Sequence, residues 1–214
     1  MRDFPFFTTE YGVASLILKE IPYRKTAFLH VRDVQPGGLE DHLNQCISFC
    51  RMAGAERVYA TGHEGLTAWP LDCVTLEMRG PARPDRDKIA CLFPVTEATA
   101  GQFRSVYNRL MAPVPHAATL ENRDEQRIAE ALGTYFIHRD GRLLGIGWME
   151  DTKLLAVAAE QQGSGEILMH TLMSLVEGAD IILEVSSTNE RAIGLYEKMG
   201  FLKTKELTRW YRVL

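Results

Sequence analysis

Residues 154–201 read LLAVAAEQQGSGEILMHTLMSLVEGADIILEVSSTNERAIGLYEKMGF. Residues 154–158 are a short apolar run that predicts a strand, Gln162-Gly163-Ser164-Gly165 is a glycine loop, and Leu168, Leu172, Leu175 and Val176 recur behind it at helical spacing. Glu177-Gly178-Ala179-Asp180 ends that helix, and residues 181–185 are an apolar, β-branched strand. Asn189 then caps a second helix carrying Ala192, Tyr196 and Met199, which Gly200 stops. Strand, helix, strand, helix predicts two parallel strands joined by a right-handed crossover.

Upstream, Phe103, Val106, Tyr107 and Leu110 share one helical face. Residues 134–138 and 142–148 flank Asp140-Gly141, a strong hairpin signal. Antiparallel strands therefore feed the parallel unit, and the expected class is α/β with a mixed sheet. The stretch 80–88, GPARPDRDK, is rich in proline, glycine and charge, so the expected segments are 1–80 and 88–214. The first has its own strand-helix-strand pattern: residues 27–31, the turn Pro36-Gly37-Gly38, a helical face of Leu39, Leu43, Cys46, Ile47 and Cys50, then residues 57–61. Its helix ends in Ala53-Gly54-Ala55-Glu56, much as the later one ends in Glu177-Gly178-Ala179-Asp180. The N-terminal extension reads either as a degenerate half-repeat or as a chance likeness between two helix-to-strand turns.

With 214 residues, 46% of them hydrophobic, the chain can bury a sizeable core. A formal net charge of −4 with mixed signs offers no basic field for nucleic acid or an anionic membrane surface. The start MRDFPFF is followed by Thr8, Thr9 and Glu10, which is not a secretory apolar core, and a cytoplasmic location is expected. Four cysteines without paired spacing read as small buried hydrophobes. Six scattered histidines predict no metal site, and no GxSxG elbow predicts a covalent intermediate. A dinucleotide-binding fold would need a fuller glycine fingerprint and no preceding hairpin.

The segments LAVAAEQQGSG and NERAIGLYEKMGF resemble the coenzyme-binding strand, loop and following helix of the GNAT N-acetyltransferase superfamily. The resemblance is carried by residues 154–201 and extends, as an order of elements, to about Lys88. It implies acetyl-CoA as co-substrate, with the backbone of Leu155, Ala156 and Val157 holding the pantetheine arm. The same resemblance puts Gln162, Gly163, Ser164, Gly165, Glu166 and Ile167 around the diphosphate, and Asn189 and Tyr196 against the coenzyme. Counted from Gln162, the family's loop spacing has Gly165 in place and Ile167 where glycine or alanine is usual, with no Arg or Lys inside the loop.

Tyr196 matches the family tyrosine that protonates the leaving thiolate, a reasonable role for a phenol at neutral pH. The LEV, Asn, LYE arrangement is similar to that of bacterial ribosomal-protein alanine N-acetyltransferases, which implies Glu184 as general base, with Glu150 in reserve. Strand alternation turns Glu184 away from Leu183 and Val185. His170, one turn past the loop, is a remote further candidate. Asn189 has a purely structural use as a helix cap, which can coexist with ligand contact. The expected reaction is direct transfer in a ternary complex to a small-molecule or peptide amine, the acceptor being selected by loops near Ala112 to Arg127, alone or together with the N-terminal unit. The alternative is a coenzyme-binding or protein-interaction module without turnover. Association into a homodimer is compatible with either.

Overall fold

The computed structural model describes residues 5–214; residues 1–4, the start of the expected N-terminal segment, lie outside them. The chain packs as two compact units, one running to Thr75 and joined by Glu206–Leu214, the other Leu76–Lys205. These limits differ from the expected 1–80 and 88–214 in two places. Residues 76–80 belong with the second unit and residues 206–214 with the first, because two long strands, β5 (Leu71–Pro81) and β11 (Leu202–Arg212), each divide between the units.

In the first unit β1 (Phe6–Thr8), β2 (Gly12–Ile17) and β3 (Thr26–Val34) form an antiparallel meander. A short turn of helix, α1 (Ile21–Arg24), precedes β3. Helix α2 (Leu39–Met52) then crosses over to β4 (Arg57–Thr61), which runs parallel to β3 through five residue pairs, from Thr26↔Arg57 to His30↔Thr61. The end of β11 closes the far side of β4, antiparallel, with Tyr211 opposite Ala60. Helix α2 buries Leu43, Cys46 and Cys50 of the foreseen face against Leu29, Val31 and Val58, with Leu39 and Ile47 partly buried beside them, and it also buries His42, which was not foreseen.

The second unit has the order β5-β10-β9-β8-β7-β6. Strands β6 (Cys91–Pro94), β7 (Thr134–Arg139), β8 (Arg142–Glu150) and β9 (Lys153–Ala159) are antiparallel in succession. The β7–β8 hairpin turns through Asp140 and Gly141 at φ +52° and +73°, the primed-turn geometry that an Asp-Gly pair favours. Helix α5 (Gly165–Met173) leads to β10 (Asp180–Ser186), parallel to β9, and α6 (Glu190–Lys198) follows. Helices α3 (Glu97–Met111) and α4 (Glu125–Glu130) supply Phe103, Tyr107 and Ile128 to one core, with Phe136, Ile146, Trp148 and Ala156. Helices α5 and α6 supply Leu168, Leu172, Ile193 and Tyr196 to another, with Leu154, Ile181, Leu183 and Val185.

Two local expectations are corrected. Cys91 is exposed while the other three cysteines are buried, because it opens β6, the edge strand of its sheet. Helix α5 ends at Met173: Leu175 and Val176 bond back to the Leu172 and Met173 carbonyls, a tightened last turn that leaves Leu175 exposed. Among the described residues no helix is long and apolar enough to cross a membrane.

Candidate active site

The parallel pair β9–β10 is joined over a very short length. Ladder partners are Ile182↔Lys153 and Leu183↔Leu154, after which the two strands continue without pairing. The cause lies partly in β9: Trp148 pairs with Ala156 and Met149 with Leu154, so Leu155 is an extra, bulged residue. Alternation is reset there, and both Leu155 and Ala156 pack towards the α3/α4 core, while Val157 packs towards the α5/α6 core. An opening bounded by the main chain of β9 and β10 results, its β9 side formed by the residues foreseen as the pantetheine strand.

At the end of β9 the chain turns through Gln161-Gln162-Gly163-Ser164, with the Ser164 N–H donating to Gln161 O at 3.2 Å. Gly163 has φ +89° and open space where a side chain would start. Ser164 is buried, and its hydroxyl lies 2.7 Å from Gln161 O and 3.1 Å from Leu144 O. Its side chain is therefore turned inward, and only its main chain is left to face a ligand. Ser164 makes no side-chain cap of α5, so the first-turn amides of Gly165, Glu166 and Ile167 have no acceptor within the helix. The Ile167 side chain packs onto the α5/α6 core, so its bulk stays out of the approach to those amides. The loop spacing is also met when counted from Glu160, with Gly163 and Gly165 both in place and an acid where Gln or Arg is usual. Arg109 grips that acid with two bonds of 3.1 and 2.6 Å.

The positive charge missing from the loop sequence arrives from elsewhere. Lys88, from a 3-10 turn (Arg86–Lys88), lies 2.6 Å from Glu166 Oε1, and Lys198, at the end of α6, lies 2.6 Å from Glu166 Oε2. The two ammonium groups hold the Glu166 carboxyl down at about 2. The turn bearing Lys88 is fastened to α5 on its own account. The Asp85 N–H donates to His170 Nδ1 at 3.0 Å and the Ala90 N–H to Thr171 Oγ1 at 2.9 Å. His170 thus acts as an acceptor for the turn. No sequence pattern announces these lysines, since 78 and 32 residues separate them from Glu166.

Asn189 caps α6, its Oδ1 accepting from the Ala192 N–H at 3.3 Å. The cap aims the helix so that Tyr196 reaches the α5/α6 core, with its ring 5.9 Å from that of Phe201. Burial pushes the phenol up to about 12. Glu184 leaves β10 on the face opposite the buried Leu183 and Val185, is exposed, and pairs with Lys153 of β9 at 2.7 Å. Glu150 is exposed at the end of β8, across from Lys153. Tyr196 and Glu184 thus belong to opposite sides of the strand pair, with the unpaired stretch of β9 and β10 as the opening between the sides.

Residues 102–201 match the Acetyltransferase (GNAT) family. No curated protein matches the chain. A functionally unknown conserved protein from Staphylococcus epidermidis has a similar fold, with TM-score 0.57, 13% identity and coverage of 99% of this chain and 94% of the other. A GCN5-related N-acetyltransferase from Sphaerobacter thermophilus is similar with TM-score 0.52 and 14% identity, covering 94% and 75% of the two chains. One from Kribbella flavida gives 0.57 and 12%, covering 96% and 58%. At these identities the likeness is one of fold.

Proposed function

We propose that the protein is an N-acetyltransferase that moves an acetyl group from acetyl-CoA to a primary amine by direct transfer, a reading supported by the match of residues 102–201 to the Acetyltransferase (GNAT) family. The observation that carries this reading is the opening past Leu154 and Leu183, with unpaired main chain along it, free amides at Gly165, Glu166 and Ile167 at one end, and Tyr196 on the α6 side. Those amides suit a diphosphate, and Gly163 lets it come close. Leu155, Ala156 and Val157 would offer main-chain bonds to the pantetheine amides. Asn189 sets the start of the helix that lines the same opening.

Glu184 accepts the proton of the acceptor ammonium, directly or through water, leaving a neutral amine whose lone pair attacks the thioester carbon. Tyr196 donates its hydroxyl proton as the carbon–sulfur bond breaks, so the sulfur leaves as a thiol, and the second nitrogen proton, shed as the amide forms, returns through water to the phenolate. Its raised pKa keeps that proton in place until negative charge develops on sulfur. Lys153 must give up Glu184 to the acceptor, whose own ammonium can replace it. The test is acetyl-CoA-dependent thiol release across a panel of small amines and peptides, with a thermal shift read in parallel. Saturable stabilisation with thiol release is expected; neither effect with any acyl-CoA sinks the proposal.

The ion pair between Glu184 and Lys153 favours a second reading, a coenzyme-binding module without turnover. It predicts the thermal shift without thiol release.

The first unit supports a related proposal, that it is a degenerate copy of the catalytic fold. Its turn at Gln35-Pro36-Gly37-Gly38 repeats that at Gln161-Gln162-Gly163-Ser164. The Gly38 N–H bonds to Gln35 O at 2.9 Å, Gly37 has φ +79°, and Gly38 begins α2 as Ser164 begins α5. Strand β3 also bulges, at Arg32, since Val13 pairs with Asp33 and Ala14 with Val31. The difference is the parallel pair. β3 and β4 stay joined over five positions where β9 and β10 are joined over two.

A further inference from the structure

Glu166 stands at the second residue of α5, where an approaching diphosphate would meet a negative charge, yet it is bracketed by Lys88 and Lys198, one on each carboxylate oxygen at 2.6 Å. We propose that Glu166 is a built-in competitor for the coenzyme phosphates: its carboxylate occupies the two ammonium groups in the free protein and yields them when the phosphates arrive. This rests on the coenzyme reading given above.

The backbone that carries each lysine does not depend on the glutamate. Lys88 follows a backbone already fastened to α5 through Asp85 to His170 and Ala90 to Thr171, and Lys198 is carried by α6. Asp85 Oδ2, 3.5 Å from the Lys88 ammonium, and His170 Nε2, 3.9 Å from Glu166 Oε1, are the other ionisable groups in contact. Removing the carboxylate would therefore leave both cations beside the first-turn amides of α5. The local charge of the bracket would rise from +1, two lysines less one glutamate, to +2. A carboxylate near the positive end of a helix also stabilises the free fold. Its loss should thus lower stability while raising phosphate affinity, two effects of opposite direction that a merely structural residue would not produce together.

Isothermal titration of the full chain with CoA, dephospho-CoA and S-acetylpantetheine, at low and at raised salt, tests this. Glu166→Gln should bind CoA on the order of tenfold more tightly than wild type at low salt, with the gain shrinking as salt is added. Lys88→Ala and Lys198→Ala should each weaken CoA on the order of tenfold. S-acetylpantetheine, which carries no phosphate, should be indifferent to all three changes. Retention of the effects with dephospho-CoA assigns the lysines to the diphosphate, and their loss assigns them to the 3′-phosphate. Unchanged or weaker CoA binding by Glu166→Gln, in a wild type that binds CoA, overturns the competitor role alone. Absence of CoA binding by the wild type and every variant overturns the coenzyme reading with it.

Discussion

Gly80 of β5 lies flat against the ring of Phe201, and a Cβ built on Gly80 would stand 2.5 Å from that ring. Phe201 is fully buried in the α5/α6 core, so the ring has nowhere to retreat. Gly80→Ala should therefore cost about 1–3 kcal/mol of stability, the range of overpacking in a dense core. A urea denaturation series reads it directly, and an unchanged midpoint would show that the ring shifts freely.

The same contact bears on truncation. A fragment beginning at residue 88 keeps every residue of the family match but loses Met78 and Gly80, and leaves β10 without its β5 neighbour. Such a fragment should give no cooperative thermal transition, whereas the full chain should. A sharp, reversible melt of the fragment would refute this.

Tyr196→Phe removes one hydroxyl without changing ring volume and should slow transfer by about 10²-fold or more, with coenzyme affinity unchanged. Because burial raises the phenol from 10.0 to about 12, no alkaline limb of the rate below pH 10 should belong to it. The raised value also has a stability sign. Protonated Tyr196 supports the fold fully below pH 10, and the support is lost as pH climbs from 10 towards 12. The phenylalanine variant should thus resist alkaline unfolding better than wild type in that window.

Glu166 works at the other end of the scale. Its carboxyl is lowered from 4.5 to about 2, first by Lys198 and then by Lys88, so the ionised form supports the fold above pH 4.5 and the support fades as pH falls towards 2. Acid titrations of wild type and Glu166→Gln should diverge above pH 4.5 and converge near pH 2. Parallel curves over that span would mean the bracket contributes nothing to folding.

Glu184→Gln should reduce turnover by about 10²-fold or more if the carboxylate takes the acceptor proton. Lys153→Met is the informative partner, because it removes the ion pair at 2.7 Å that Glu184 must give up to the acceptor ammonium. The KM for the acceptor amine should then fall, because no lysine competes with it for the carboxylate. A KM that stays put assigns the base elsewhere, with Glu150 the next residue to vary.

The local order from residue 154 to 201 was legible in the sequence because each step had a local cause. Apolar runs made β9 and β10, Asn189 capped α6, and Gly200, at φ +87°, ended it. The same holds for the hairpin at Asp140-Gly141 and for the strand-helix-strand of residues 27–61. Strands β5 and β11 were not legible. β11 is exposed along most of its length and reads as alternating charge, and the place of each in a sheet depends on partners far away in the chain.

At the candidate site the sequence by itself determined which residues stand on which element: Tyr196 on the helix that Asn189 caps, Glu184 on the polar side of its strand, glycines before α5. Tertiary structure alone decided where β9 and β10 stop pairing, that Ser164 turns inward, that Glu184 meets Lys153, and that Lys88 and Lys198 close on Glu166. The reason is range. Caps, turns and alternation are written in residues a few places apart, whereas a charge brought in from 78 residues away exists only once the chain has folded.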